Sequence, residues 1–189
     1  MASPGVACSK ARASRLRRRF FSIFEPHTDI VVKGQRDVSS GHKVYLSGGR
    51  SSLVLDCVIE AGNPPDSQLL ERTLERHIAL FGKAPRQACF DGGFASKANV
   101  ERAKALGVED ITFHRKAGIT IAEMVRSAWV FRRLRDFRSG IEGVISTLKR
   151  AFQMDRCTWR GLESFKDYVW SCVTSFNLIV LVRHRLAQT

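Results

Sequence analysis

A chain of 189 residues is long enough for one domain with a real core and short for two. With 44% hydrophobic and 26% charged residues it has the balance of a folded soluble protein, not a disordered one. No apolar run reaches the ~18–20 residues of a membrane span. Thirty-one basic residues against 18 acidic give a net charge of +13. Six of the bases (Lys10, Arg12, Arg15, Arg17, Arg18 and Arg19) lie in the first twenty positions with no acid among them. The remaining 25 against 18 still leave +7. A basic body of this kind favours a polyanion, either nucleic acid or an anionic membrane surface.

The extreme N-terminus has no apolar core or small-residue cleavage site, so it does not read as a secretory signal. The five cysteines (8, 57, 89, 157 and 172) form no CxxC pair, and the histidines show no HxxxH spacing. That argues against a disulfide frame or a zinc site and for reduced thiols acting as small hydrophobes in a reducing compartment.

Residues 1–19, rich in Ala, Ser and Arg, read as a basic flexible arm, and 20–189 as the folded part. Residues 20–34 suggest a strand and a turn, with Pro26 and Gly34 as breakers. Residues 41–46 alternate as a strand does, Ser47-Gly48-Gly49 is a turn, and 52–60 is β-rich, so 43–60 reads as a hairpin. After Gly62-Asn63-Pro64-Pro65, Asp66 or Ser67 is the expected N-cap of a helix to about Leu80. Leu69, Leu70, Leu74, Ile78 and Phe81 stand at helical spacing, and Gly82 is its stop. A short strand at 87–90 runs into Asp91-Gly92-Gly93. A helix follows from about Ser96 to Leu106, then a strand at 110–114. A long helical pattern covers 120–152, with a break expected near Ser139-Gly140. The run from Val169 to Val182 is interrupted by Ser171, Thr174, Ser175 and Asn177 and suits a buried helix, within a last helix over 162–186. Phe165, Val169, Cys172, Phe176 and Ile179 mark its inner face. This order gives a mixed α/β domain with helices packed on a sheet.

Two places in this pattern could carry chemistry. Asp91 falls where a strand ends and two glycines turn the chain into a helix, a recurrent position for functional groups in α/β proteins. Capping the turn is the commoner use of Asp-Gly. Further on, at ~100° per residue, Arg138 and Glu142 lie about 40° apart on one helix, and Lys149 returns to within about 20° of Glu142. An acid flanked by two bases on one stripe suits a site where a cation and a phosphate meet. An ordinary i,i+4 ion pair is the plainer alternative. Glu142 is, however, the only acid between Asp136 and Asp155, in a stretch holding Arg126, Arg132, Arg133, Arg135, Arg138, Lys149, Arg150, Arg156 and Arg160.

These residues resemble the insertion-sequence transposases with an Asp-Asp-Glu (DDE) RNase H-like catalytic domain, in an ISNCY-like or related branch with a Tyr-x2-Arg-x3-Glu-x6-Lys signature. Arg138-x3-Glu142-x6-Lys149 fits, with Arg135 in place of the Tyr. Asp91-Gly92-Gly93-Phe94-Ala95-Ser96 is similar to the segment of the second triad Asp. Gly41-His42-Lys43-Val44 and Ala61-Gly62-Asn63-Pro64-Pro65-Asp66-Ser67 resemble two further family motifs, in the family's order. The resemblance implies an RNase H-like mixed sheet flanked by helices, and metal-dependent phosphodiester cleavage and strand transfer at transposon ends. It implies Asp91 and Glu142 as catalytic Mg²⁺ (or Mn²⁺) ligands, and Arg138, Lys149, Arg135 and Arg150 as DNA contacts. Its partners would be transposon-end DNA and, as a further option, other copies of the chain, in the bacterial cytoplasm at the nucleoid.

The pattern departs from the family at one point. The first family Asp precedes the Gly-His-Lys segment, and no residue stands clearly in its place: residues 1–19 hold no acid, Asp29 follows the expected position, and Asp56 reads as an ordinary strand residue. The expectation is therefore a domain incomplete at its N-terminal strand, truncated from a longer transposase, with its enzymatic activity open. A non-catalytic basic DNA-binding module that retains the fold is the alternative.

Overall fold

The computed structural model describes residues 28–33, 37–62, 64–114 and 118–188; the basic arm expected over 1–19 lies outside them. The strands are β1 (Asp29–Lys33), β2 (Asp37–Gly41), β3 (Val44–Gly48), β4 (Val54–Ile59), β5 (Gln87–Phe90) and β6 (Asp110–Phe113). The helices are α1 (Leu70–Phe81), α2 (Lys97–Ala105), α3 (Ile121–Met124), α4 (Ala128–Ala151) and α5 (Leu162–Leu186). The mixed α/β class holds. Among the described residues the strands form three separate pairs: β1–β2 and β3–β4 antiparallel, β5–β6 parallel. The single strand read over 41–46 divides in two, because Gly41 ends β2 and Val44 opens β3.

Two apolar clusters form the core. One gathers Leu70, Leu74, Val100, Ile111, Phe113 and Met124 around β5–β6 and reaches Leu134 on α4. The other packs Val54 and Cys57 of β4 against Leu148 of α4 and Val169, Val173 and Phe176 of α5. Helix α4 contributes to both, so it spans the two halves. The buried inner face of α5 includes Val169, Cys172 and Phe176 as expected. The helical phase then buries Val173 and Val180 and leaves Ile179 44% exposed. By length and composition α5 is the one helix among the described residues that could cross a membrane; one of its faces is core, and Leu178, Leu181 and Val182 on the other are exposed. Asn177, an interruption in its apolar run, has a clear use. Its side chain accepts from the Val54 N–H (2.9 Å) and donates to the Val54 carbonyl (2.8 Å), satisfying a backbone unit of β4.

Two helix starts differ from the sequence reading. Helix α1 begins at Leu70 after a single 3-10 turn over Asp66–Gln68, and no side chain caps it. The Asp66 carboxylate is drawn instead to β3, where it accepts from the Tyr45 hydroxyl (2.6 Å) and pairs with Lys43. The long pattern over 120–152 breaks at Val125–Ser127, not at Ser139-Gly140, which α4 passes through unbroken. Thr120 caps α3 in a reciprocal box with Glu123, Val125 is extended, and Ser127 caps α4 by accepting from the Val130 N–H. A Cβ added at Gly140 would meet nothing within 4 Å, so no close packing requires the glycine there.

The break is fixed by Asp110 at the start of β6. Its side chain is only 1% exposed. It accepts from the Arg126 backbone N–H (3.0 Å), from Arg126 Nε and Nη2 (3.1 and 2.7 Å) and from the Gln87 amide (2.9 Å). Burial alone would raise its pKa. The Arg126 N–H, the Gln87 amide and the guanidinium outweigh that and hold it below the usual carboxylate range. Stability from this group is therefore present at pH above the ordinary carboxylate value of about 4 and is lost as pH falls through the lowered folded-state value. Asp110→Asn is expected to cost about 2–4 kcal/mol at neutral pH. The gap between wild type and variant in chemical denaturation should narrow as the pH is taken toward 2. An equal gap at pH 7 and pH 2 would remove the ionised carboxylate from this account.

Candidate active site

Strands β5 and β6 run parallel with Phe90 beside Phe113, and the His114 N–H donates to the Phe90 carbonyl (3.2 Å). The next residue on β5 is Asp91, so Asp91 and His114 emerge together from the C-terminal edge of the pair. Asp91 leaves the strand in extended conformation and opens a 3-10 turn over Gly92–Phe94, accepting from the Gly92 N–H (2.7 Å). Its capping of the turn and its position at a site are thus both present.

Helix α4 crosses this edge and projects Arg138 onto it. The Arg138 side chain is 16% exposed, whereas Asp91 and Glu142 are 65% and 60% exposed. One guanidinium nitrogen, Nη2, donates to Asp91 Oδ1 (3.1 Å) and to Glu142 Oε1 (2.9 Å). The other, Nη1, lies 3.1 Å from His114 Nδ1. The i,i+4 ion pair is therefore real, and the same guanidinium also reaches a carboxylate 47 positions away on a different element. The two acids singled out in the sequence meet at a single cationic group.

The remaining basic candidates stand apart from that meeting point. Lys149 and Arg150 are exposed in the last turn of α4. Arg135 is exposed and approaches only its neighbour Asp136, at 3.8 Å. Both stand-ins for a third acid are engaged elsewhere. Asp56 takes a bidentate contact from Arg76 (2.7 and 2.8 Å), which holds its carboxyl below the usual range. Asp29 accepts from the Gly62 N–H (2.9 Å).

A second layer braces the Asp91 loop. The Asp66 carboxylate fills the space beside Gly93: a Cβ there would overlap Asp66 Oδ2 and stand 3.0 Å from its Cγ. Tyr45 and Lys43 fix that carboxylate, and Lys43 also donates to the Pro64 carbonyl (3.0 Å). Burial, then the bond to Asp66, pushes the Tyr45 phenol well above its ordinary range, so it stays a donor. Two residues before Asp91, burial pushes the Cys89 thiol up to about 11, which keeps it protonated and uncharged. His114 and the Asp66–Gly93 contact were not recognisable from sequence. The signal for His114 was its place just past β6, but only the parallel register sets it beside Asp91.

Two converging carboxylates are hard oxygen donors, and Mg²⁺ is commonly held by one or two carboxylates together with substrate phosphates. The donor set fits one such ion. No cluster of three or more His, Cys, Asp or Glu side chains able to hold a metal occurs among the described residues.

The described chain is thus a mixed α/β fold with Asp91 at the C-terminal edge of a parallel pair and Glu142 facing it from a strongly basic helix. Residues 33–178 match the family model described as "Transposase DDE domain". The chain belongs to that family, whose members act in DNA transposition and generally use divalent metal. No curated protein and no solved structure matches it.

Gly93→Ala is expected to destabilise the chain by about 1–3 kcal/mol through overpacking. Combined with Asp66→Ala, which empties the space, it should cost clearly less than the sum of the two single changes in thermal or chemical denaturation. Additive losses would show that Asp66 and Gly93 do not share this contact.

Proposed function

We propose that this chain is the later part of a DDE transposase catalytic domain, with Asp91 and Glu142 as its metal-binding acids and Arg138, Lys149, Arg150 and Arg135 as its DNA contacts. The observation that carries this reading is the sharing of Arg138 Nη2 by Asp91 and Glu142 at the strand ends. A guanidinium between two exposed carboxylates marks a position where positive charge is favoured. Mg²⁺ or Mn²⁺ bound to those acids supplies Lewis-acid polarisation of a phosphodiester oxygen. The protein's part is to hold the two carboxylates at one point through α4 and the braced Asp91 loop. Arg138 and Lys149, on one face of α4, then hold backbone phosphates.

A third carboxylate is not brought to this point among the described residues. Among the described residues every strand, β3 and β5 included, is paired on one side only, so no strand bearing a first acid is seen beside Asp91 there. The same observation favours a second reading, in which the chain grips DNA through α4 without cutting it.

The two separate in one assay. A transposon-end duplex is incubated with the chain and Mn²⁺, with binding followed in parallel over a range of salt. Nicking that falls at least ~100-fold in both Asp91→Asn and Glu142→Gln assigns the transposase chemistry to this pair. Salt-sensitive binding with no nicking in any sample assigns the DNA-binding module. Nicking that survives both substitutions would remove the two acids from the chemistry.

A further inference from the structure

Beyond the carboxylate site, the loop joining α4 to α5 presents an unusual surface. Within it Arg156, Thr158, Trp159 and Arg160 are all exposed, and Trp159 keeps 51% of its surface open. The indole meets the Tyr168 ring edge-on, with centroids 5.6 Å apart and planes at 65°. The Tyr168 hydroxyl donates to the Gln153 carbonyl (2.8 Å) and lies 3.3 Å from that of Arg156. The loop is further tied back by the Met154 N–H on the Leu148 carbonyl and the Arg156 N–H on that of Gln153. Trp159 therefore projects from a shaped loop, held by a tyrosine that clamps the backbone on either side of the turn.

The charge around it is mainly positive. Arg156 and Arg160 lie three positions before and one after Trp159 in the chain, and Lys149 and Arg150 end the helix from which the loop springs. None of the four forms an ion pair among the described residues. The nearby acids are Asp155 in the loop itself, Asp167 beside Tyr168, and Glu163, which is paired with Lys166 at 2.7 Å. An exposed aromatic ring on a loop that also carries exposed cations is a combination by which proteins stack an unpaired base and hold its phosphates. A closed duplex hides its base faces, so such a ring selects frayed or single-stranded nucleotides. Glu142 lies ten residues before Phe152, the C-cap of α4, about 15 Å along the helix axis. That rise, which ends where the loop carrying Trp159 begins, is roughly four nucleotides of a stacked strand.

We propose that Trp159, on one loop with Arg156 and Arg160 and positioned by Tyr168, is a stacking platform for an unpaired nucleotide of the DNA strand whose phosphodiester lies at Asp91 and Glu142. The platform rests on the transposase reading above.

Fluorescence anisotropy with two labelled probes tests it in the absence of added metal: a blunt duplex, and the same duplex carrying a four-nucleotide single-stranded tail. The wild type is expected to bind the tailed probe more tightly. Trp159→Ala should weaken the tailed probe by about tenfold, the stacking of one base, and the blunt probe by less than about twofold. Trp159→Phe, which keeps a ring against Tyr168, should stay within about threefold of wild type on both. Arg160→Gln should lower the salt slope by about one unit. Equal affinity of wild type for the two probes, or a Trp159→Ala loss that is absent or equal on both, overturns the platform and leaves the DNA-binding reading standing. No salt-dependent binding of either probe by the wild type would overturn both.

Discussion

The buried carboxylate of Asp110 is the constraint on which the arrangement rests. It sits at the first residue of β6 and holds both the backbone and the side chain of Arg126. That contact stops α3, extends the chain at Val125 and lets Ser127 start a new helix. The phase of α4 is thereby set relative to β5 and β6. From that phase follow Val130 and Leu134 in one apolar cluster, Leu148 in the other, and Arg138 over the strand ends. A buried ion needs its partners close, because an unpaired charge in the interior costs several kcal/mol. That requirement makes the Asp110–Arg126 contact a stronger organiser than any surface pair on the chain.

The candidate site has the opposite character. Asp91 and Glu142 are largely exposed, and ion pairs of exposed groups contribute only about 0–1 kcal/mol each. Arg138 therefore marks the position where the acids converge without locking it. Rigidity comes from beneath, through Asp66 against Gly93 and the parallel register of β5 with β6. The exposed charges stay exchangeable while the backbone that carries them is fixed, which is what the proposed metal and DNA roles of these residues would need.

Beside the second apolar cluster lies a cleft of about 180 Å³, bounded by the tip of the β3–β4 hairpin and by Phe137, Ile141 and Val144 of α4. The hairpin and the β5–β6 pair both approach α4 without joining into one sheet among the described residues. Three small strand pairs among the described residues, together with five helices, are the form in which the expected mixed α/β architecture is present.

Much of this was legible in the chain itself. Helical spacing located α1, α2 and α5; the glycines at 82 and 107 and the prolines at 64 and 65 bounded elements; and the β-rich run before Glu60 gave the hairpin. Asp91, Arg138 and Glu142 were legible because each follows from local rules: a strand-to-glycine junction, and a 100° helical step. Helix caps and breaks were less so. Asp66 has the chemistry of an N-cap yet serves Lys43 and Tyr45, and Ser139-Gly140 looks like a break yet lies within α4, because tertiary partners outweigh local preference.

The sequence by itself determined the basic character of the chain, the order of its elements, the family and the two acids, since these depend on composition and on spacing along one strand or one helix. Only the tertiary structure decided that Asp91 and Glu142 share Arg138, that His114 stands beside them, and that Asp56 and Asp29 are occupied elsewhere. Each of those facts joins residues on different elements. The helix break at Asp110 and the parallel register of β5 with β6 set those distances, and neither is encoded in any local stretch of the chain.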